Sequence, residues 1–68
     1  MKITPIRMRR VKAELEIDEA VEELKISKGM LYRIEQGISN PGTKLIARMA
    51  KVYNCKVDDI FKDLKITG

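Results

Sequence analysis

The 68-residue sequence contains no histidine, no tryptophan and only one cysteine. Without histidine, the chain lacks the side chain that most often carries out acid–base catalysis and binds metals near neutral pH. A single cysteine cannot form an internal disulfide bond, so Cys55 is expected to be a small packing residue in a reducing compartment. The sequence also has no run of about 18 apolar residues, the length needed for a membrane span.

Sequence motifs for catalysis and cofactor binding are also missing. There is no glycine-rich phosphate-binding loop, no second cysteine and no cluster with the spacing of metal ligands. Glu19, Glu22 and Glu23 are close together, but they fall on the polar side of an amphipathic helix, where carboxylates usually face water. We therefore expect neither an enzyme nor a cofactor-dependent protein, and no metal site.

Charge is abundant and unevenly distributed along the chain. Residues 1–12 include five basic residues and no acidic one, residues 13–25 include six acidic residues and one lysine, and residues 26–56 include six basic residues and Glu35 as the one acid. A fold that placed the two basic segments on one face would create a surface for a polyanion. The alternative is a set of separately solvated helix faces, and charge alone does not decide between them.

Apolar residues recur at helical spacing and predict five short helices. Thr4 and Pro5 are typical of a helix start, Ser27 is a capping residue for the third helix, and Gly37 can adopt the left-handed conformation that ends it. The predicted inner faces, given in order from the first helix to the fifth, are Met8, Val11 and Leu15; Ile17, Ala20, Val21 and Leu24; Leu31 and Ile34; Leu45, Ile46, Met49, Ala50 and Tyr53; and Val57, Ile60, Phe61 and Leu64.

The two ends of the chain carry the same triplet, Lys2-Ile3-Thr4 and Lys65-Ile66-Thr67. Each has a β-branched residue in the middle, so the triplets could pair as a short antiparallel ribbon. Frayed termini are the alternative. The predicted fold class is therefore all-α, with or without a small ribbon formed by the termini.

The second and third helices are joined by only Lys25 and Ile26. In such an arrangement the first helix crosses a DNA backbone and the second enters the major groove. On the third helix, five residues lie opposite the inward-facing Leu31 and Ile34: Lys28, Gly29, Tyr32, Arg33 and Gln36. Arg33 can present two N–H donors to guanine, and Gly29 would allow the helix to come close to the bases.

Several short motifs, taken together in order, resemble the Cro and cI repressor family of helix-turn-helix regulators, also called the xenobiotic-response-element family. The resemblance runs from about Ile6 to Phe61. It is carried by IS at 26–27, RIEQG at 33–37, NP at 40–41, RMAKVYN at 48–54 and VDDIF at 57–61. It implies a five-helix, lambda-repressor-like domain over residues 1–68, with its helix-turn-helix at about 16–36 and a recognition helix at about 28–36.

The resemblance also implies roles for individual residues. It assigns base reading to Lys28, Gly29 and Arg33, with Tyr32 beside them. It further implies a structural ion pair between Arg10 and Glu35. The positions that would contact phosphate are Gln36, Asn40, Thr43 and Lys44.

Two departures from the family pattern affect DNA binding. Glu16 and Ile17 stand where members usually have Ser or Thr followed by Gln, so a phosphate contact is lost. Lys25 stands where a glycine is usual between the two helices, and a left-handed backbone there would cost about 1 kcal/mol. We expect modest affinity from one subunit, which makes dimerisation important.

The sequence therefore predicts a cytoplasmic transcriptional regulator of bacterial or phage origin that binds double-stranded DNA without a cofactor or small-molecule ligand. We expect a repressor that acts as a homodimer on an inverted repeat. A protein-interaction module of the antitoxin or antirepressor kind is the alternative on the same fold. The predicted dimer contacts are Tyr53, Phe61, Leu64 and Ile66.

Overall fold

The computed structural model describes residues 4–64, which form five α-helices and no strand. The helices are α1 Pro5–Lys12, α2 Ile17–Leu24, α3 Lys28–Glu35, α4 Thr43–Val52 and α5 Val57–Leu64. This confirms the all-α, five-helix prediction. The proposed ribbon falls outside the described residues except for Thr4, which caps α1. None of the described helices has the length and apolar character needed to cross a membrane.

Local sequence signals determine where α1 begins and where α3 begins and ends. The Thr4 hydroxyl accepts a hydrogen bond from the backbone N–H of Arg7 at 3.4 Å, and Pro5 occupies the first turn. The Ser27 hydroxyl accepts one from the N–H of Met30 at 3.1 Å. Gly37 follows α3 with a φ of 80°, in the left-handed region. The third helix, α3, therefore begins and ends where its capping residues predict.

Within residues 4–64, three residues other than glycine also have a left-handed backbone. Glu14, Lys25 and Asn54 have φ angles of 60°, 59° and 56°. Asn54 follows α4, and asparagine tolerates this region better than most residues. Lys25 ends α2, with its N–H donating to the carbonyl of Val21. The tight turn between α2 and α3 is thus made without the usual glycine, and the left-handed backbone expected at Lys25 is confirmed.

All five helices contribute to one apolar core. Its buried members are Ile6, Ala20, Leu24, Leu31, Ile34, Ile46, Met49, Ala50, Tyr53 and Ile60. Leu31 and Ile34 are 0% and 1% exposed, which confirms them as the inward residues of α3. Burial of side chains of this size contributes about 1.5–3 kcal/mol each, so α3 is held firmly despite its eight residues.

The predicted inner faces are wrong at three residues, Met8 and Val11 on α1 and Val57 on α5, of which Val57 is 40% exposed. Met8 and Val11 are 38% and 49% exposed, whereas Ile6 and Arg10 are buried. A charged residue, Arg10, takes the inward position because it has a buried partner, which apolar spacing cannot reveal. Leu15 lies beyond the end of the helix and is partly buried against the core.

The structure also corrects one predicted dimer contact. Tyr53 is 4% exposed and belongs to the core, so it does not offer a surface to a second subunit. Its hydroxyl is buried without a hydrogen-bond partner, and this burial raises the pKa of the side chain. Phe61 and Leu64 are partly buried against the core, and Ile66 lies outside the described residues. Cys55 also packs against the core, as expected, and burial raises the pKa of its thiol.

Candidate nucleic-acid interface

The outer face of α3 is the surface on which the predicted base-reading residues meet. Lys28, Gly29, Tyr32 and Arg33 are exposed, as is Gln36 at the end of the helix. A Cβ atom placed on Gly29 would have no neighbouring atom within 4 Å. The fold itself therefore does not require glycine at this position, and the space in front of α3 is open to a ligand.

Lys28 has an acidic partner that the sequence did not predict. Its Nζ atom lies 2.8 Å from Asp18 Oδ1, in the first turn of α2, and both side chains are exposed. The hydrogen bond to Asp18 raises the pKa of Lys28. Exposed pairs of this kind are weak and are screened by salt. The Lys28 ammonium group can therefore exchange Asp18 for an acceptor on DNA.

The segment after α3 brings the predicted phosphate contacts to the surface. Asn40, Thr43 and Lys44 are exposed, and α4 begins after the N-cap Gly42. Gly42 has no side chain, so no side-chain hydrogen bond caps the first turn of α4. Helix N-termini leave backbone N–H donors free and carry a partial positive charge, which favours phosphate. Thr43 and Lys44 lie in this first turn, and their contact with phosphate stays a prediction.

A buried ion pair lies behind the exposed face and joins α1 to the end of α3. Arg10 Nε is 2.6 Å from Glu35 Oε2, and Arg10 Nη2 is 3.4 Å from Oε1. Arg10 Nη1 also donates to the carbonyl of Leu15 at 2.9 Å, and the Thr4 hydroxyl donates to the carbonyl of Glu35. The hydrogen bond to Glu35 is the main cause of the raised pKa of Arg10. The pair predicted between these two helices is therefore formed.

Two further arginine contacts support the site and were missed by the sequence analysis. Arg9 donates to both carboxylate oxygens of Asp63, at 2.8 and 3.2 Å, and so joins α1 to α5. Arg48 Nη1 donates to the carbonyl of Leu24 at 3.0 Å, which ties α4 to the end of α2. These partners are 54 and 24 residues apart in the sequence, so no local pattern reveals them.

Within residues 4–64, no group of three or more histidine, cysteine, aspartate or glutamate side chains is arranged to hold a metal ion. An open groove between α2 and α4 brings together four basic side chains: Lys25, Lys44, Arg48 and Lys51. One of them, Lys44, is a predicted phosphate contact, so positive charge continues from the predicted interface along α4.

Comparison with known proteins adds evidence from sequence similarity. The model of a helix-turn-helix family matches residues 6–60, from α1 into α5. The chain is 31% identical over 58 residues to a protein of Archaeoglobus fulgidus named as an uncharacterized HTH-type transcriptional regulator. That alignment covers 85% of this chain and 82% of the relative. No solved structure matches the chain significantly.

Proposed function

The chain belongs to the helix-turn-helix family of Cro/cI-type transcriptional regulators, and from this premise we propose that it is a repressor that binds a specific DNA operator. The single observation that best supports the proposal is the two-sided character of α3. Leu31 and Ile34 are buried, while Lys28 and Arg33 are exposed on the opposite side. Such a helix can project basic side chains into a major groove while its other side remains packed on the core.

Base recognition is assigned mainly to Arg33. Its guanidinium group can donate two hydrogen bonds to O6 and N7 of guanine, which distinguishes guanine from the other bases. Tyr32 is 47% exposed and can contact a thymine methyl group or a phosphate. Phosphate contacts from Gln36, Asn40, Thr43 and Lys44 would fix the position of α3 in the groove without carrying sequence information.

Two copies are needed for a selective site, because one α3 can reach only a few base pairs. In a two-fold symmetric dimer, the recognition helices would enter successive major grooves about 34 Å apart. The operator would then be an inverted repeat with half-sites about 10–10.5 base pairs apart, centre to centre. Phe61 and Leu64, both on α5 and partly exposed, remain candidate contacts, together with Ile66.

The alternative, a protein-interaction module, would be favoured by one large exposed apolar patch. Among the described residues, the large exposed apolar side chains lie on α1, α3, the loop after α3, and α5, and two of them, Tyr32 and Ile38, line one small cleft; the full set is Met8, Val11, Met30, Tyr32, Ile38 and Val57. Single exposed apolar residues are common on protein surfaces. No observation in the described residues therefore favours this alternative over DNA binding.

Selection of bound sequences from a pool of random duplexes tests the proposed function. We expect enrichment of an inverted repeat whose half-sites have the spacing given above. A folded protein that enriches no sequence would contradict sequence-specific DNA binding.

Sedimentation with the selected duplex, at micromolar protein concentration, tests the homodimer separately. We expect two chains on each duplex at saturation, since each half-site receives one recognition helix. One chain per duplex, even with excess protein, would contradict the homodimer while leaving sequence-specific binding intact.

A further inference from the structure

The open groove between α2 and α4 carries charges of both signs. Its charged lining consists of four basic side chains and one carboxylate: Lys25, Lys44, Arg48, Lys51 and Glu23. The remaining lining residues are the apolar Leu15, Ala47 and Val52. We call this surface the α2–α4 groove. It is mainly positive, but it is not uniformly positive as a surface made only for a polyanion would be.

Helical spacing arranges these charges in two rows. On α4, Lys44, Arg48 and Lys51 are four and three residues apart, so they follow one side of the helix. On α2, Glu19 and Glu23 are four residues apart and also share one side. All five side chains are exposed. A basic row and an acidic row therefore lie on neighbouring helices, and Glu23 brings the acidic row to the groove.

The charges of the two rows are not paired with each other. The ion pairs formed within residues 4–64 involve other residues: Arg9–Asp63, Arg10–Glu35 and Lys28–Asp18. Arg48 donates a hydrogen bond to the neutral carbonyl of Leu24, and Glu19 accepts one from the backbone N–H of Glu16. Neither contact neutralises a charge, so both rows can attract a ligand of opposite charge.

The mixture of charges indicates which ligand fits the α2–α4 groove. A DNA backbone carries only negative charge, so Glu23 would repel it there. A second copy of this chain presents an acidic row to the basic row and a basic row to the acidic row. Under two-fold symmetry each such contact is made twice. Neighbouring charges are about 6 Å apart on α2 and about 4.5–6 Å apart on α4, at 1.5 Å per residue, so both rows can be matched at once.

We propose that the α2–α4 groove is a self-association surface, on which a second copy of the chain docks with its acidic row against the basic row and reciprocally. Lys44, in the first turn of α4, is assigned to DNA, so Arg48 and Lys51 make the contacts between chains. None of the residues 57–64 lines the groove. A dimer held through Phe61 and Leu64 therefore keeps this surface free for a second dimer. The inference goes beyond the proposed function and does not depend on DNA.

Charge reversal on each row tests the proposal. Glu23→Lys and Lys51→Glu both change exposed residues, so both variants should fold. Sedimentation velocity without DNA, in about 0.1 M salt, where the Debye length is about 10 Å, measures self-association. We expect each variant to associate at least about tenfold more weakly than the parent, because one reversal makes two attractive contacts repulsive. The chain that carries both reversals should recover the association of the parent.

A fluorescently labelled Lys51→Glu chain, mixed with an unlabelled variant, provides a matched control. With Glu23→Lys, both contacts between the chains are attractive again, so the labelled chain should sediment as a larger complex. Glu22→Lys adds the same charge to α2, but Glu22 does not line the groove. One of its two contacts with the labelled chain stays repulsive, so we expect binding about threefold weaker or less. Raising the salt concentration should weaken the complex with Glu23→Lys, because exposed ion pairs are screened.

Three results would overturn the inference. They are self-association that neither reversal changes, equal binding of the labelled chain to Glu23→Lys and Glu22→Lys, and no recovery in the folded double variant. Weaker duplex binding by Lys51→Glu, with unchanged self-association, would assign the groove to DNA instead. Failure of the proposed function has a different signature, because the parent protein itself would then not bind duplex DNA.

Discussion

Arg10 on α1 and Glu35 at the end of α3 form a buried ion pair with an Nε–Oε2 distance of 2.6 Å. Only 6% and 5% of the two residues are exposed. Two hydrogen bonds to backbone carbonyls belong to the same network. Arg10 donates to the carbonyl of Leu15, and the Thr4 hydroxyl donates to the carbonyl of Glu35. The orientation of α3 therefore depends on a buried polar network as well as on its apolar contacts.

Breaking this pair from one side should strongly destabilise the protein. Glu35→Gln leaves Arg10 buried without a carboxylate, and the expected loss in the free energy of unfolding is about 3–5 kcal/mol. Asp18→Asn is the control, because it breaks the exposed pair with Lys28 and should leave the denaturation midpoint almost unchanged. Urea denaturation measures both. Equal midpoints for the two variants would show that the Arg10–Glu35 pair is not the anchor of α3.

Replacing Lys25 with glycine should stabilise the protein. Lys25 has a φ of 59°, a conformation that is unfavourable for a residue with a Cβ atom. Glycine removes this strain but adds conformational entropy to the unfolded chain, so we expect a net gain of about 0.5–1 kcal/mol. Glu22→Gly, at an exposed position inside α2, should instead lose about 1 kcal/mol. Thermal denaturation that shows a loss in both variants would argue against a strained turn.

Removing the Tyr53 hydroxyl should not weaken the fold. The hydroxyl is buried without a hydrogen-bond partner, and an unsatisfied buried polar group is unfavourable. We expect Tyr53→Phe to raise the free energy of unfolding by about 1 kcal/mol. Tyr32→Phe changes an exposed residue in the same way and should have no effect on stability. A large loss in Tyr53→Phe alone would show that the hydroxyl has a stabilising partner.

Gly29→Ala should separate stability from function. Nothing lies within 4 Å of an added Cβ, and alanine favours a helix over glycine by about 0.5–1 kcal/mol. The free protein should therefore become more stable. If the α3 backbone approaches the bases closely at Gly29, affinity for the selected duplex should fall at the same time. Unchanged affinity would remove Gly29 from the interface.

The parts of the fold that could be predicted are those encoded locally. Ser27 caps α3 through a hydrogen bond three residues away, Gly37 ends it, and the spacing of Leu31 and Ile34 identifies its inner face. Each of these signals spans about one or two helical turns. The exposed positions of the candidate site follow directly from that spacing, since they are the residues opposite the inner face.

The parts that were missed depend on partners distant in sequence. The resemblance to a known family supplied the Arg10–Glu35 pair, but the apolar pattern of α1 did not, and it placed Met8 and Val11 inward instead. Tyr53 was predicted both on the inner face of α4 and as a dimer contact; its burial confirms the inner face and corrects the dimer contact.

The most direct test of the central claim, that α3 reads DNA sequence, is the affinity of the parent, Arg33→Ala and Lys44→Ala for the selected duplex and its single-base-pair variants. Arg33→Ala should lose about 1–3 kcal/mol on the selected duplex and lose its preference at one base pair, while Lys44→Ala should weaken all duplexes similarly. Equal, sequence-independent losses in the two variants would contradict the assignment of Arg33 as a base-reading residue.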